Sequence, residues 1–182
     1  MAKHTGGLIA WQIVCVLEDM APVFDIRPVN YAQAGDAAAL VMLLDAYASD
    51  PAGGGSPLSE DVKARLPAEL AQRPQAFSVI AWHLDQAVGL VNAIEGFSTF
   101  KAQTLVNVHD VAVLPAYRGQ GVAALMLSAV ERMAKERGAC KLTLECLDGN
   151  LPAMALYRRM GFDGYELDPA LGQARFMQKW LD

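Results

Sequence analysis

The residues best suited to chemistry form a basic, glycine-containing turn between an apolar segment and a helix-forming one. Arg118, Gly119 and Gly121 follow the run Val111-Ala112-Val113-Leu114-Pro115 and precede an alanine- and leucine-rich stretch. The backbone N–H groups of such a turn, with the positive end of the helix, bind phosphate groups. Glycine lets the backbone approach a phosphate closely, and Arg118 adds a fixed positive charge. The pattern predicts a pyrophosphate site.

Two other interpretations of the turn are weaker. Gly119-Gln120-Gly121-Val122-Ala123-Ala124 fits a loose dinucleotide fingerprint, with Glu145 on the next predicted strand. That fingerprint should follow a strand immediately and open a repeated βαβ array, whereas here residues 115–118 intervene. A plain strand-to-helix turn would explain the glycines but not Tyr117-Arg118. A coenzyme other than a dinucleotide is therefore favoured.

Length and composition predict one folded domain. The chain has 182 residues, of which 53% are hydrophobic, and a net charge of −5. An acidic chain without a basic run is a poor partner for nucleic acid or an anionic membrane, so neither is expected. Residues 21–182 are assigned to the domain. Residues 1–20 are assigned to an extension, because the apolar run 8–17 is too short to cross a membrane and no cleavage site follows it.

The three cysteines, Cys15, Cys140 and Cys146, lack a CxxC pattern. Neither a disulfide framework nor a metal site is indicated, and a reducing cytoplasm is the expected location.

Periodicity predicts an α/β chain whose strands and helices must position the turn. One helix is expected to be capped by Asp36 and to end near Tyr47, and a hairpin is expected around 84–86. The predicted strands are 24–29, 77–83, 87–93, 105–113, 140–146, 162–167 and 174–180, and the other predicted helices are 59–71, 122–137 and 150–160.

A second motif, Asn150-x-x-Ala153-x-x-x-Tyr157-x-x-x-Gly161-Phe162, follows the turn. With the Arg118-x-x-Gly121-x-Ala123 spacing it resembles the signature of the GCN5-related N-acetyltransferase (GNAT) family, over about residues 26–181. Leu156 stands where many relatives carry an aromatic residue. The resemblance implies an α/β domain with a mixed, mostly antiparallel sheet of about six to seven strands, splayed at an acetyl-CoA site and flanked by about four helices.

The resemblance also implies where acetyl-CoA binds. Its pantetheine arm would pair with the strand before the turn, as an added strand does, and its phosphates would lie on the turn. The expected contacts are Val111, Ala112, Val113, Arg118, Gly119, Gln120, Gly121, Val122, Ala123, Asn150, Ala153 and Tyr157. Arg158 and Arg159 are further sources of positive charge.

Acetyl transfer to an amine needs a base, an acid and an oxyanion site. By the resemblance, Tyr157 donates a proton to the departing thiolate, and the Val113 N–H meets the oxyanion. Diamine acetyltransferases of the spermidine/spermine type resemble the stretch before Val111, with Glu-Asp where His109-Asp110 stand here. The base is thus His109, Asp110 or Glu145, and the substitution of His for Glu leaves diamine recognition open.

The expected reaction is acetyl transfer to a small-molecule amine by direct attack in a ternary complex, without metal and without an acyl-enzyme, because no cysteine is expected at the reacting carbonyl. Two alternatives remain open: a protein or peptide N-acetyltransferase of the same fold, and an inactive acyl-CoA-binding regulatory module. A homodimer is also left open. The family's acceptor pocket corresponds here to Tyr47, Trp82, Glu95, Phe97, Ser98 and Phe100.

Overall fold

A five-stranded sheet carries helices on both of its faces in the computed structural model, which describes residues 23–164, 170 and 176–181. Its strands are β1 (Asp25–Pro28), β2 (Ala76–His83), β3 (Gln86–Ser98), β4 (Gln103–Val113) and β5 (Leu142–Leu144). Its helices are α1 (Ala34–Ser49), α2 (Glu60–Ala71), α3 (Val122–Glu136) and α4 (Leu151–Arg159), and a 3₁₀ turn spans Pro115–Tyr117.

The strands follow one another across the sheet in chain order, β1-β2-β3-β4-β5. The first three pairings are antiparallel, and β4 pairs with β5 in parallel. A parallel pair needs a crossover connection, and α3 provides it. The mixed, mostly antiparallel α/β sheet and the four helices are confirmed among the described residues.

Two apolar layers hold the helices to the sheet. On one face, Met126, Leu127 and Val130 of α3 pack against side chains of β2, β3 and β4. On the other, Leu40 and Leu43 of α1 pack in a second cluster, which contains Ile80, Leu90 and Ala112. These clusters fix α1 and the start of α3 against opposite faces of β4. The site described below lies between them.

Three predicted boundaries were wrong. Helix α1 begins at Ala34, so Asp36 lies in its first turn, where its carboxylate accepts a hydrogen bond from the Asn30 N–H (2.9 Å) instead of capping the helix. Strand β3 extends to Ser98 because it pairs with the start of β4. Strand β5 is confined to Leu142–Leu144 because it pairs with β4 over three residues only.

The sheet of the described residues has five strands, fewer than the six to seven predicted. Residues 162–164 and 176–181 carry no strand, and the rest of the predicted terminal pair lies outside the described residues, as do residues 1–20. Within the part that the structure describes, no helix is long and apolar enough to cross a membrane.

Candidate functional site

The sheet opens on one side of β4. Strand β5 pairs with β4 from Val106 to Val108, and beyond Val108 that edge of β4 has no strand partner among the described residues. A cavity of about 1090 Å³ lies there, bounded by β4, the end of β5, the C-terminal end of α1, the first turn of α3 and one side of α4 along its length. The splaying predicted by the family resemblance is present, and it begins at Val108.

The glycine-containing turn forms one end of this cavity. Gly119 and Gly121 have φ angles of 77° and 83°, which favour glycine, and α3 begins at the next residue, Val122. The first N–H groups of a helix lack intrahelical acceptors, so those of α3 are available to a ligand. Gln120 does not line the cavity, and its side-chain Nε2 donates to the Ala116 carbonyl (2.9 Å). Its contact with the coenzyme stays a prediction.

Arg118 is held by two contacts. Its Nε donates to the Val113 carbonyl (3.0 Å), and its Nη2 donates to Oδ2 of Asp50 (2.7 Å), in the loop after α1. The Ala52 N–H and then Arg118 hold the pKa of Asp50 below its usual range. Asp50 was not predicted, because a flexible glycine-rich loop gives no sign of where it folds. Arg159 lines the cavity, whereas its neighbour Arg158 does not.

Helix α4 brings the second motif to the opposite wall. Asn150 is its N-cap, with Oδ1 accepting from the Ala153 N–H (3.3 Å), and both residues line the cavity. This bond is the usual N-cap interaction, and it leaves the amide Nδ2 of Asn150 for a ligand.

Tyr157 lies on the same wall of the cavity. It is half-buried, and its ring meets the edge of Phe162 with centroids 5.9 Å apart. Burial, with smaller effects from Cys146 and Tyr47, raises the pKa of Tyr157 to about 12. Its hydroxyl forms no hydrogen bond with any described residue. The phenol therefore stays protonated at neutral pH and presents a free donor.

A β-bulge separates His109 from Asp110. Asn92 pairs with Asp110 and Ala93 with Val108, so His109 is the extra residue of β4. His109 is exposed and lines the cavity, whereas Asp110 is half-buried and accepts a hydrogen bond from Nδ2 of Asn92 (2.9 Å). The bulge turns the two candidate bases to different surroundings.

Glu145 follows β5 and lines the cavity. Both of its carboxylate oxygens lie near Nδ2 of Asn107 (3.3 and 3.4 Å), which also donates to the Thr143 hydroxyl (3.2 Å). A neutral amide thus orients Glu145 without neutralising it.

Cys146 also lines the cavity, where no cysteine was expected. Burial, followed by the charge of Asp148, raises the pKa of its thiol. Because the thiolate is the nucleophilic form, a raised pKa makes this cysteine a poor nucleophile at neutral pH.

Of the predicted acceptor-binding residues, only Tyr47 lines the cavity. Trp82 packs in the α1 cluster under the guanidinium of Arg27, 4.7 Å from the ring centroid. The remaining four residues lie at or near the turn of the β3–β4 hairpin and do not line the cavity. There Glu95 pairs with Arg137 (3.4 Å), Ser98 is buried, and Phe97 and Phe100 are exposed.

The cavity therefore has ends of opposite character. Arg118 and the N–H groups of the glycine turn supply positive potential at one end, and His109 and Glu145 supply acceptors at the other. Between them runs the unpaired edge of β4, which can pair with amide groups of an extended ligand. The arrangement suits a long molecule with phosphates at one end and a reacting group near Tyr157.

Comparison with known proteins gives a family match. The model of the acetyltransferase (GNAT) family matches residues 40–162. Streptothricin acetyltransferase of Streptomyces lavendulae is 37% identical over 90 residues, which cover 48% of each chain. An uncharacterized N-acetyltransferase of Bacillus subtilis, YhfO, is 28% identical over 141 residues, which cover 74% of this chain and 89% of that protein. The chain spans about half the length of the streptothricin enzyme.

Among solved structures, the fold matches that of the aminoglycoside N-acetyltransferase AAC(6')-Iy in complex with CoA. The TM-score is 0.69, at 20% sequence identity, over 88% of this chain and 97% of that one. At this identity the likeness establishes the fold alone.

Proposed function

The chain belongs to the acetyltransferase (GNAT) family, and from this premise we propose that it transfers the acetyl group of acetyl-CoA to a primary amine of a small molecule by direct attack in a ternary complex. The observation that carries the proposal is the opening of the sheet beyond Val108. Because the sheet opens there, a single cavity is lined by the glycine-containing turn and also by Tyr157, His109 and Glu145.

The residues present fit acetyl-CoA. Arg118, Arg159 and the N–H groups from Gly119 to Ala123 would hold its phosphates. The unpaired edge of β4 at Val111 and Val113 would pair with its pantetheine amides. The Val113 carbonyl already accepts from Nε of Arg118, and its second lone pair leaves it able to accept from the coenzyme as well. Acetyl-CoA supplies an activated thioester carbonyl.

The chain's own groups then divide the proton transfers. An ammonium group must lose a proton before it can attack, and we assign this step to His109, which is exposed to the cavity. Glu145 is the reserve base. The Val113 N–H is the proposed oxyanion donor, and the protonated phenol of Tyr157 is the proposed proton donor to the departing thiolate.

The relatives support a small amine as the acceptor. Their names specify streptothricin, thialysine and, for the matched structure, aminoglycosides as substrates. The carboxylate of Glu145 in the cavity suits a cationic acceptor of this kind. Two other relatives are named for protein substrates: N-alpha-acetyltransferase 30 of Schizosaccharomyces pombe and a putative ribosomal-protein-alanine N-acetyltransferase of Bacillus subtilis. The test therefore includes a peptide acceptor. Location in the cytoplasm and homodimer formation stay predictions.

The test is a screen for CoA release from acetyl-CoA with streptothricin, thialysine, sisomicin and a peptide with an N-terminal alanine. We expect release with at least one small amine and none above background with the peptide. Release with the peptide alone would establish the protein-directed alternative. Binding of acetyl-CoA without release in any arm would identify the chain as a regulatory module.

The base is tested with His109→Gln. A general base accepts a proton only in its unprotonated form, so wild-type kcat/KM should show an acidic limb, that is, a decrease as the pH is lowered. We expect the variant to lose this acidic limb, with a decrease of about tenfold or less at about pH 9, where more of the amine is already neutral. An unchanged limb in His109→Gln, with a lost limb in Glu145→Gln, would assign the base to Glu145.

Direct transfer is tested with Cys146→Ser. Because burial raises the pKa of the Cys146 thiol, we expect no acetylated cysteine and a kcat within about threefold of the wild-type value. The measurements are kcat and the mass of the intact protein after mixing with acetyl-CoA. A protein-bound acetyl group that forms and decays at the rate of turnover, and that is lost in Cys146→Ser, would contradict direct transfer.

A further inference from the structure

A row of buried polar side chains crosses the sheet and ends at Asp110. Ser78, Asn92 and Asp110 lie directly opposite one another on β2, β3 and β4. The Ser78 hydroxyl donates to Oδ1 of Asn92 (2.6 Å), and Nδ2 of Asn92 donates to Oδ2 of Asp110 (2.9 Å). Behind them the Tyr31 hydroxyl lies 2.8 Å from the Ser78 oxygen. We define these four residues as the polar row.

The bonds of the polar row have a fixed direction. Because Ser78 donates to Asn92, the Ser78 oxygen is free to accept from Tyr31, and the amide of Asn92 must turn its NH₂ group toward Asp110. In this orientation Nδ2 of Asn92 donates and Oδ2 of Asp110 accepts. One oxygen of Asp110 is fixed by the amide, and the other accepts no bond from the described part of the chain.

The polar row lies in otherwise apolar surroundings. Ser78 is 2% exposed and Asn92 7% exposed, and the neighbouring side chains on this face, Ile80 and Leu90, belong to the apolar cluster under α1. Buried polar groups cost stability unless they are hydrogen-bonded, and a row of apolar side chains would fill the same layer without that requirement. The sheet's own packing therefore does not explain the row.

The bulge at His109 makes the row possible. Side chains alternate between faces along a strand, so without an extra residue Asp110 would share the α3 face with Val108. With the bulge, Asp110 lies opposite Asn92 on the α1 face instead. There its charge contributes to raising the pKa of Tyr47, after the larger effect of burial, and Tyr47 lines the cavity. Ala112, two residues further on and on the same face, lines the cavity and belongs to the cluster against which Tyr47 packs. Asp110 is therefore next to the cavity wall without being part of its lining.

We propose that Asn92, supported by Ser78 and Tyr31, is a positioning residue that fixes the carboxylate of Asp110 beside Tyr47, where Asp110 attracts the ammonium group of the acceptor. The proposal rests on the proposed amine acetyltransferase activity. It assigns Asp110 to acceptor binding and leaves proton removal to His109. The hydrogen bond from Asn92 acts on the acceptor only through Asp110.

The test compares Asn92→Leu, Asp110→Asn and the double variant with whichever of streptothricin, thialysine and sisomicin gives the fastest CoA release. Asn92→Leu should raise the KM of the acceptor about tenfold, as expected for losing a hydrogen bond to a charged group, and leave the KM of acetyl-CoA within twofold. Asp110→Asn should raise the acceptor KM at least as much. Since Asn92 acts through Asp110, the double variant should match Asp110→Asn.

Ile80→Val is the matched control, because it perturbs the same buried layer without touching the polar row. It should lower the Tm and leave the acceptor KM unchanged. If Asn92→Leu does not fold, Ser78→Ala replaces it, with a smaller rise in acceptor KM that again disappears in the Asp110→Asn background.

An unchanged acceptor KM in Asp110→Asn, or effects that multiply in the double variant, would overturn the proposal while the acetyltransferase activity stands. Absence of CoA release by the wild-type protein with every amine would overturn the proposed function itself.

Discussion

Tyr157→Phe is expected to lower kcat by about ten- to a thousandfold, an estimate that overlaps the typical size of an acid–base contribution, with little change in acetyl-CoA affinity. The substitution keeps the ring and its contact with Phe162 but removes the proton donor. Because burial raises the pKa of Tyr157 to about 12, the wild-type phenol stays protonated, so its own ionisation should produce no basic limb below about pH 11. Steady-state kcat and the Kd of acetyl-CoA are the measurements.

Tyr117→Phe is the matched control. Tyr117 lines the same cavity, but its hydroxyl is committed to Oε1 of Gln86 (3.0 Å). Its kcat should remain within about twofold of wild type. Equal losses in the two variants would show that the effect of Tyr157 is structural, and an unchanged kcat in Tyr157→Phe would remove it from the mechanism.

The second large effect concerns acetyl-CoA binding. At about 100 times Kd a ligand stabilises the folded state by about 2.7 kcal/mol, which for a chain of this size raises the Tm by about 5 to 10 °C. We expect Arg118→Ala combined with Gly121→Val to abolish this rise. Arg118 loses its charge, and a side chain at Gly121, where φ is 83°, strains the turn and blocks a phosphate from the backbone.

The control must reproduce the strain without reaching the cavity. The control is Arg132→Ala combined with Gly138→Val. Arg132 is an exposed residue of α3, and Gly138, with a φ of 73°, follows the end of that helix. Neither residue lines the cavity. This variant should melt at a lower temperature and still gain the full shift from acetyl-CoA. A full shift in Arg118→Ala/Gly121→Val would mean that the phosphates bind elsewhere, and a clear shift of the wild-type protein with NAD would revive the dinucleotide alternative.

Local patterns predicted the backbone geometry of the glycine-containing turn well. The glycines at 119 and 121, the proline before them and the helix after them are consecutive, and this sequence alone determines a turn with positive φ angles. The start of α2 at Ser59 was also predictable, because serine is a common N-cap residue and its hydroxyl accepts from the Val62 N–H three residues further on. Spacing along the chain is sufficient to predict local structure where the interacting groups are neighbours in sequence.

The acceptor end depends on contacts between distant segments, which spacing does not reveal. The salt bridge from Asp50 to Arg118 joins residues 68 positions apart, and the polar row joins Tyr31 to Asp110 through two other strands. A bulge shifts the faces of a strand by one residue, so alternation alone could not show that Asp110 lies opposite Asn92 on the α1 face. Phe97 and Phe100 suggested an acceptor pocket. Because β3 extends to Ser98, both residues instead lie exposed near the turn of the hairpin, outside the cavity lining.

We propose that acetyl-CoA and the amine bind together in the cavity beside β4 and that the acetyl group moves directly between them. Initial rates of CoA release, measured while both substrates are varied, distinguish this reaction from transfer in two steps. We predict intersecting lines in double-reciprocal plots and no burst of CoA when the amine is omitted. Parallel lines with a burst of CoA before amine is added would show a covalent acetyl-enzyme and contradict direct transfer.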